Sequence, residues 1–359
     1  MPTGDAQSHE QVRAGYVGAV DHYTSPQRRD AVKRLWEEPE LVGVLNDALA
    51  RTANGTTRVL DVGCGTAVAL QLLRQTATYR NDAVCRLQYV GIDLDEKLLA
   101  VATDTIRPER EGETVTFSIR DIRDGAPDRP HDLLISTGVP FSHLTPDELS
   151  ATLTRLFADV RDTRIPLVAV IDVLGRYSLE WTRMWPEERW SYRMSFFATD
   201  QDADATDMTT YDGDTLRNMI TSSAAAAGVS ARDITLTDRS IMVGRHTMTG
   251  EYTPGLPQWR AHMNALHDNQ SPCDLAQLQC TLELPDAPPQ VDAFFTSFLR
   301  RWNDTVAAAQ HTISRSAEPE VWRHVQAELF SELLTLEHHA QPGLGVGHSL
   351  TAVVVVTPV

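Results

Sequence analysis

Asp61, Asp93 and Asp121 each stand at or near the end of an apolar run, and Gly63 and Gly65 follow the first of them at once. The run Arg58 to Val62 predicts a buried parallel strand, and Ala67 to Arg74 has the composition and periodicity of a helix. Between them, Gly63-Cys64-Gly65 lets the backbone turn sharply and approach a ligand with no Cβ in the way. Strand, glycine turn and helix N-terminus form a site for a nucleotide-like ligand at the carboxyl edge of an α/β sheet. A second strand, Leu87 to Ile92, ends in Asp93, placed to accept both hydroxyls of a ribose. A third, Val115 to Ile119, ends near Asp121-Ile122, an acid and an apolar residue for the edge and face of an adenine. A dinucleotide fingerprint wants G-x-G-x-x-G, and Val68 holds the third glycine's position, which weakens that alternative.

Three strands that each end in an acid resemble the class I S-adenosylmethionine-dependent methyltransferases, over roughly residues 55 to 175. The resemblance implies that Asp61, Gly63, Cys64, Gly65 and Thr66 cradle the methionine half of S-adenosylmethionine. It gives Asp93 the ribose, sets Leu94 against the adenine, and has Asp121 and Ile122 border the base. Ser136 and Thr137, with Gly138, would face the methionine portion and contact its charged ends. The one departure is Ala67, where many members carry a third glycine.

Transfer from a sulfonium asks for in-line alignment, a dry pocket and sometimes a base. Substrate-side residues are therefore expected at the ends of the fourth and fifth strands. His143 is the candidate general base, and Phe141 would wall the methyl group because a cation is stabilised near an aromatic face. Asp172 ends the fifth strand, where it orients a partner or pairs with Arg176. Tyr177 and Trp181, four apart, would share a face of a helical turn and wall a substrate or hold the cation. Tyr23, beside His22 and ahead of Pro26, would fold over the cofactor mouth as a lid. Each has a structural alternative: a capping or loop-anchoring role for His143, core packing for Phe141, an anchor for Trp181. No metal site is expected, since His338, His339 and His348 show no H-x-x-x-H spacing and fit a solvated helix end.

The elements that must position these residues alternate. Strands are predicted near 58–62, 87–92, 115–119, 132–136 and 167–172, with helices such as Glu96 to Thr105 and Thr145 to Asp159 between them. This predicts an α/β fold with a doubly wound, mostly parallel seven-stranded sheet and helical insertions. The sixth strand fits 234–243, after a helix Asp214 to Ala227 that Gly228 stops. The seventh, 349–356, is antiparallel by the resemblance and sits beside the sixth. About a hundred residues separate the two, an unusual length for a connection. The expected organisation is an N-terminal helical lid (1–50), a cofactor-binding core (51–247 and 348–359) and a helical cap or dimerisation insert (248–347). The core carries an aromatic insertion at 175–212. In the lid, most of Leu35, Trp36, Leu41, Val44, Leu45 and Leu49 are expected to pack on the sheet, and the first ten residues to be disordered.

Of the 359 residues, 42% are hydrophobic and 23% charged, as in ordinary globular proteins, and the net charge is −17. Such an acidic balance argues against binding a phosphate backbone, so nucleic acid is not the expected substrate. Lys33 and Lys97 are the two lysines, and the remaining 30 basic residues are arginine. The four cysteines form no C-x-x-C pair and read as reduced thiols, and no apolar run reaches membrane-spanning length. A cytoplasmic protein with no membrane contact is expected, with a homodimer as an arrangement open to it. The expected activity is methyl transfer to a small molecule, with natural-product biosynthesis as the expected setting. Two alternatives stand: attack at the methionine Cγ, by aminocarboxypropyl transfer or self-cyclisation to an azetidine with methylthioadenosine release, and a non-catalytic binding protein of this fold. An aromatic cage of Phe141, Tyr177 and Trp181 would suit the Cγ chemistry.

Overall fold

The computed structural model describes residues 20, 25, 29–52, 55–82, 85–127, 130–193, 205–243, 252–315 and 318–359. Tyr23, with the lid expected around it, lies outside the described residues, as do the first ten.

Five parallel strands form the centre in the order β3-β2-β1-β4-β5: β1 Thr56–Val62, β2 Arg86–Asp93, β3 Thr114–Ile119, β4 Leu133–Ser136 and β5 Leu167–Gly175. Every position of β5 is buried, as its unbroken apolar sequence requires of a strand covered on both faces. A hairpin from the aromatic insertion, β6 Arg189–Arg193 and β7 Ala205–Tyr211, joins the end of β5 through Leu174↔Thr210 and Gly175↔Tyr211. Strand β8, Val229–Arg239, pairs with β9, Ser349–Pro358, which runs antiparallel between β5 and β8. The mostly parallel sheet with an antiparallel last strand is therefore present, widened to nine strands by the hairpin.

The helices follow from local sequence. After a π-helical turn at Lys33–Glu37 come α1 Glu38–Ala50, α2 Val68–Leu73, α3 Ala77–Asn81 and α4 Glu96–Thr105. They are followed by α5 Pro146–Thr163 and α6 Gly213–Ala227. Thr145 and Glu148 make a reciprocal capping box at the start of α5, and Gly228 ends α6 in the left-handed region at φ 73°. Leu153, Phe157, Leu216 and Ile220 cover one face of the sheet, while Leu41, Leu45, Leu70 and Leu73 cover the other.

Two expectations need correction. The sixth strand starts and stops earlier than 234–243. It leaves the sheet at Ser240, which takes φ 59°, because the N–H groups of Ile241 and Met242 bond Glu337 instead of a strand. The N-terminal helical segment also does not pack wholly on the sheet. Leu35 is 38% exposed, and Trp36 turns away to meet Phe330 edge to face at 6.0 Å.

The insert folds as α7 Trp259–Asp268, α8 Pro289–Ser314 and α9 Pro319–His338. Its aromatic stripe packs inside the chain. Phe295 stacks on Trp185 of the aromatic insertion at 5.8 Å, and Trp302 is fully buried with its indole N–H on Leu278 O. His338 does close α9, half-buried and within 3.3 Å of Trp36 O, with His339 exposed after it, whereas His348 lies away from that helix end, buried and paired with Glu180 at 2.9 Å. No helix among the described residues is long and apolar enough to cross a membrane.

Candidate active site

A cavity opens at the carboxyl edge of β1, β2 and β4, where the order of the sheet reverses. Its floor is the glycine turn. The N–H groups of Gly63 and Cys64 both donate to Ile92 O, at 2.8 and 3.1 Å, which pins the turn to β2. Gly63 sits at φ 67°, and a Cβ there would lie 2.6 Å from Pro140, so a side chain is excluded twice over. Ala67 takes φ 60° at the start of α2, which explains why a third glycine would be at home there.

Asp93 reaches the cavity from the end of β2. Its Oδ2 accepts the Gly65 N–H at 2.8 Å and its Oδ1 the Asp95 N–H at 2.9 Å, so the carboxylate is oriented by the backbone. Burial raises its pKa, and the backbone bonds oppose that rise. Leu94, Asp121 and Ile122 line the cavity beyond it. Asp121 is held by Arg123, which returns to it through Nε and Nη2 at 2.9 and 2.7 Å and also grips Glu148 at 2.6 Å.

Cys64, Gly65, Thr66 and Thr137 also line the cavity; Asp61 and Ser136 do not. Asp61 is buried beneath the turn, where Oδ2 accepts the Tyr89 hydroxyl and Oδ1 has no hydrogen-bond partner. Burial pushes its pKa up to about 7, with Asp93 adding to the rise. Ser136 is fully buried in β4.

On the reacting side, Phe141 and His143 line the cavity from the turn after β4. Burial, then the nearby Arg189, lowers the His143 pKa to about 4, so the imidazole is neutral at pH 7 and a weak base. Asp172 does not pair with Arg176. Burial raises its pKa, but Arg239 at 2.7 Å, Thr351 at 2.7 Å and the Gly138 N–H at 2.9 Å outweigh burial and hold it below the usual carboxylate range. Arg176 lies instead 4.0 Å from Asp212. Tyr177 and Trp181 reach no part of the cavity: Tyr177 meets Trp185 edge to face, and Trp181 is buried with its indole N–H on Gly175 O. Trp181 lies in a turn whose backbone departs from helix at that residue, so the shared face assumed for the pair is not formed. The aromatic cage is therefore not assembled around the cavity.

Four polar lining residues come from segments the motifs do not reach: Lys33 and Glu37 from the N-terminal helical segment, and Arg239 and Ser240 from the end of β8. Nothing in the sequence brings these two segments together, although Lys33, one of two lysines in an arginine-rich chain, stood out by type.

Residues 59–162 match the family model described as a methyltransferase domain. No curated protein sequence matches the chain at a significant level. Among solved structures, the cyclopropane synthase MmaA2 from Mycobacterium tuberculosis is similar, with 12% identity and a TM-score of 0.42 over 99% of this chain and 100% of that one. The magnesium protoporphyrin IX methyltransferase from Synechocystis PCC 6803 with bound S-adenosylmethionine has 14% identity and a TM-score of 0.39, over 65% and 92%. At these scores the likenesses carry nothing about activity.

Proposed function

We propose that this chain, whose residues 59–162 form a methyltransferase domain of the class I S-adenosylmethionine-dependent superfamily, transfers a methyl group to a small-molecule acceptor. The observation that carries it is the convergence, in one cavity, of the glycine turn, Asp93-Leu94, Asp121-Ile122 and Thr137. With Lys33, Glu37 and Arg239 in the same lining, the set fits S-adenosylmethionine: an oriented carboxylate for a vicinal diol, apolar side chains for a flat base, and charges of both signs for an amino-acid end. The cofactor supplies a methyl group on a positively charged leaving group, so positioning is the chain's main task.

Asp93 would hold the ribose, while Leu94 and Ile122 would border the adenine. Phe141 offers an aromatic face to a cation. His143, neutral at pH 7, adds no competing positive charge beside a sulfonium. A weak base suits an acceptor that arrives already nucleophilic, such as an amine, a carboxylate or an ionised phenol. The net charge of −17 favours a small molecule over nucleic acid. Natural-product biosynthesis is the setting we infer.

The test is incubation with S-adenosylmethionine, alone and with candidate acceptors of those three kinds, followed by mass spectrometry of the nucleosides. Adenosylhomocysteine formed only with an acceptor supports methyl transfer. Methylthioadenosine formed without one would establish attack at Cγ, the chemistry for which the aromatic cage is not assembled.

A further inference from the structure

Lys33, Glu37 and Arg239 are charged, less than a tenth exposed, and line the cavity that receives the glycine turn. Their place in it follows from the sheet. Arg239 bonds Asp172, which also bonds the Gly138 N–H, so Arg239 stands on the β4–β5 side of the glycine turn. Asp93 and Asp121 stand on the β2–β3 side. Glu37 is near enough to Arg239 to act on its charge, and Lys33 pairs with Glu37, so the half of the cavity beyond the adenosine-side acids carries all three. Lys33 Nζ and Glu37 Oε2 lie 3.0 Å apart, and Arg239 directs Nε to Thr351 at 3.0 Å and Nη2 to Asp172.

Both segments are gripped from outside by the helical insert. Arg260 of α7 donates to Glu37 at 2.6 Å through Nη1 and to Asp30 through Nε and Nη2, both at 2.8 Å. Asn264, one turn on, accepts the Val32 N–H at 3.1 Å and donates to Asp30 at 2.9 Å. Glu337 of α9 accepts the N–H groups of Ile241 and Met242 at 2.6 and 3.2 Å, while His348 N donates to Ser240 O at 2.9 Å. These bonds hold Ser240 at φ 59°, a conformation a serine does not choose unaided. Among the described residues, none between 252 and 347 lines the cavity itself.

We propose that Lys33, Glu37 and Arg239 bind the amino-acid end of S-adenosylmethionine, and that the insert positions this wall through Arg260 and Glu337. The carboxylate falls to Lys33 and Arg239 and the ammonium to Glu37. Buried charges of both signs at one wall match a zwitterion: Lys33, Glu37 and Arg239 are already held by Glu37, Arg260 and Asp172, so the wall presents charge in fixed positions that a ligand's two charged ends can join. Arg260 and Glu337 act through other residues and are positioning residues. The proposal rests on the assignment of the cavity to this cofactor.

The experiment is calorimetric titration of the full chain with two ligands. Adenosylhomocysteine carries the amino-acid end, and methylthioadenosine has the same adenosine and thioether without it. The wild type is expected to favour adenosylhomocysteine. K33M should weaken that ligand roughly ten- to a hundredfold, the worth of one charge-assisted hydrogen bond, and leave methylthioadenosine within about twofold. Retained methylthioadenosine binding also shows that the variant is folded. R260M should lose the same preference, and R260K should recover part of it. An unchanged ratio of the two affinities in K33M and R260M would overturn the wall assignment. If K33M lost both ligands through misfolding, the isosteric E37Q decides by the same ratio. Failure of the wild type to bind either nucleoside would overturn the cofactor assignment, and this proposal with it.

Discussion

Replacing Glu40 by glutamine should stabilise the protein, and the gain should depend on pH in a set direction. The Glu40 side chain is 4% exposed, next to Glu337, with Oε1 accepting from Gln341 at 2.7 Å. Burial first, then Glu337, with a smaller push from Glu37, raise its pKa from 4.5 to about 8, against the opposing effects of Arg239 and Gln341. At pH 7 the folded chain therefore keeps a proton that the unfolded chain has released. At ~1.36 kcal/mol per pH unit, the interval from 4.5 to 7 costs the wild type about 3 kcal/mol. Stability from this group is complete below pH 4.5 and is lost as pH rises to about 8. Glutamine keeps the acceptor for Gln341 and cannot ionise. Its amide carries one more donor than the protonated acid, at the place of an Oε2 that has no hydrogen-bond partner, and that cost is the same at every pH. Urea unfolding of wild type and E40Q at pH 4.5, 6, 7 and 8.5 measures the difference directly, and groups common to both cancel. The gap should widen by about 3 kcal/mol between pH 4.5 and pH 7, or on the order of 5 °C in Tm. A gap that stays constant from pH 4.5 to 8.5 would show that Glu40 ionises normally and that its burial has been misjudged.

Asp93→Ala should weaken adenosylhomocysteine binding at least tenfold by calorimetry, because it removes the carboxylate and also frees the Gly65 and Asp95 N–H groups it orders; unchanged affinity would remove Asp93 from the ribose. Ala67→Gly should stabilise by roughly 0.5–1 kcal/mol in chemical denaturation, as relief of a left-handed alanine exceeds the added entropy of the unfolded chain. His143, at about 4, should leave the pH–rate profile flat around 6.5 for an acceptor that does not itself titrate there. An inflection near 6.5 that His143→Gln abolishes would reinstate a titrating base.

The parts of this molecule legible in sequence are those set by local rules. The glycine turn, the acids ending β2 and following β3, the capping box at Thr145 and the Gly228 stop each depend on a few adjacent residues, and each is where its pattern puts it. Tyr177 and Trp181 show the limit. Their spacing suggested a shared helical face, but Trp181 sits at φ −142° and its ring is taken up by the core. Asp172 shows it again: Arg176 was near in sequence, whereas its real partner, Arg239, lies 67 residues away. Lys33 and Glu37 were out of reach for the same reason, since their place on the wall depends on Arg260, more than two hundred residues along the chain.

Strand β9 also dictates when the molecule can be completed. Among the described strands β8 pairs only with β9, so β8 and its Arg239 lack strand pairing until residues 349–358 arrive, 110 positions after Arg239. At a synthesis rate of roughly 5–20 residues per second, that is a wait of about 5–20 s. Through it, the β9-facing edge of β5 stands open and apolar beside an insert that is still being made. A nascent chain in that state is exposed to mispairing with other strands, and its yield should depend on chaperones far more than the stability of the finished fold would suggest.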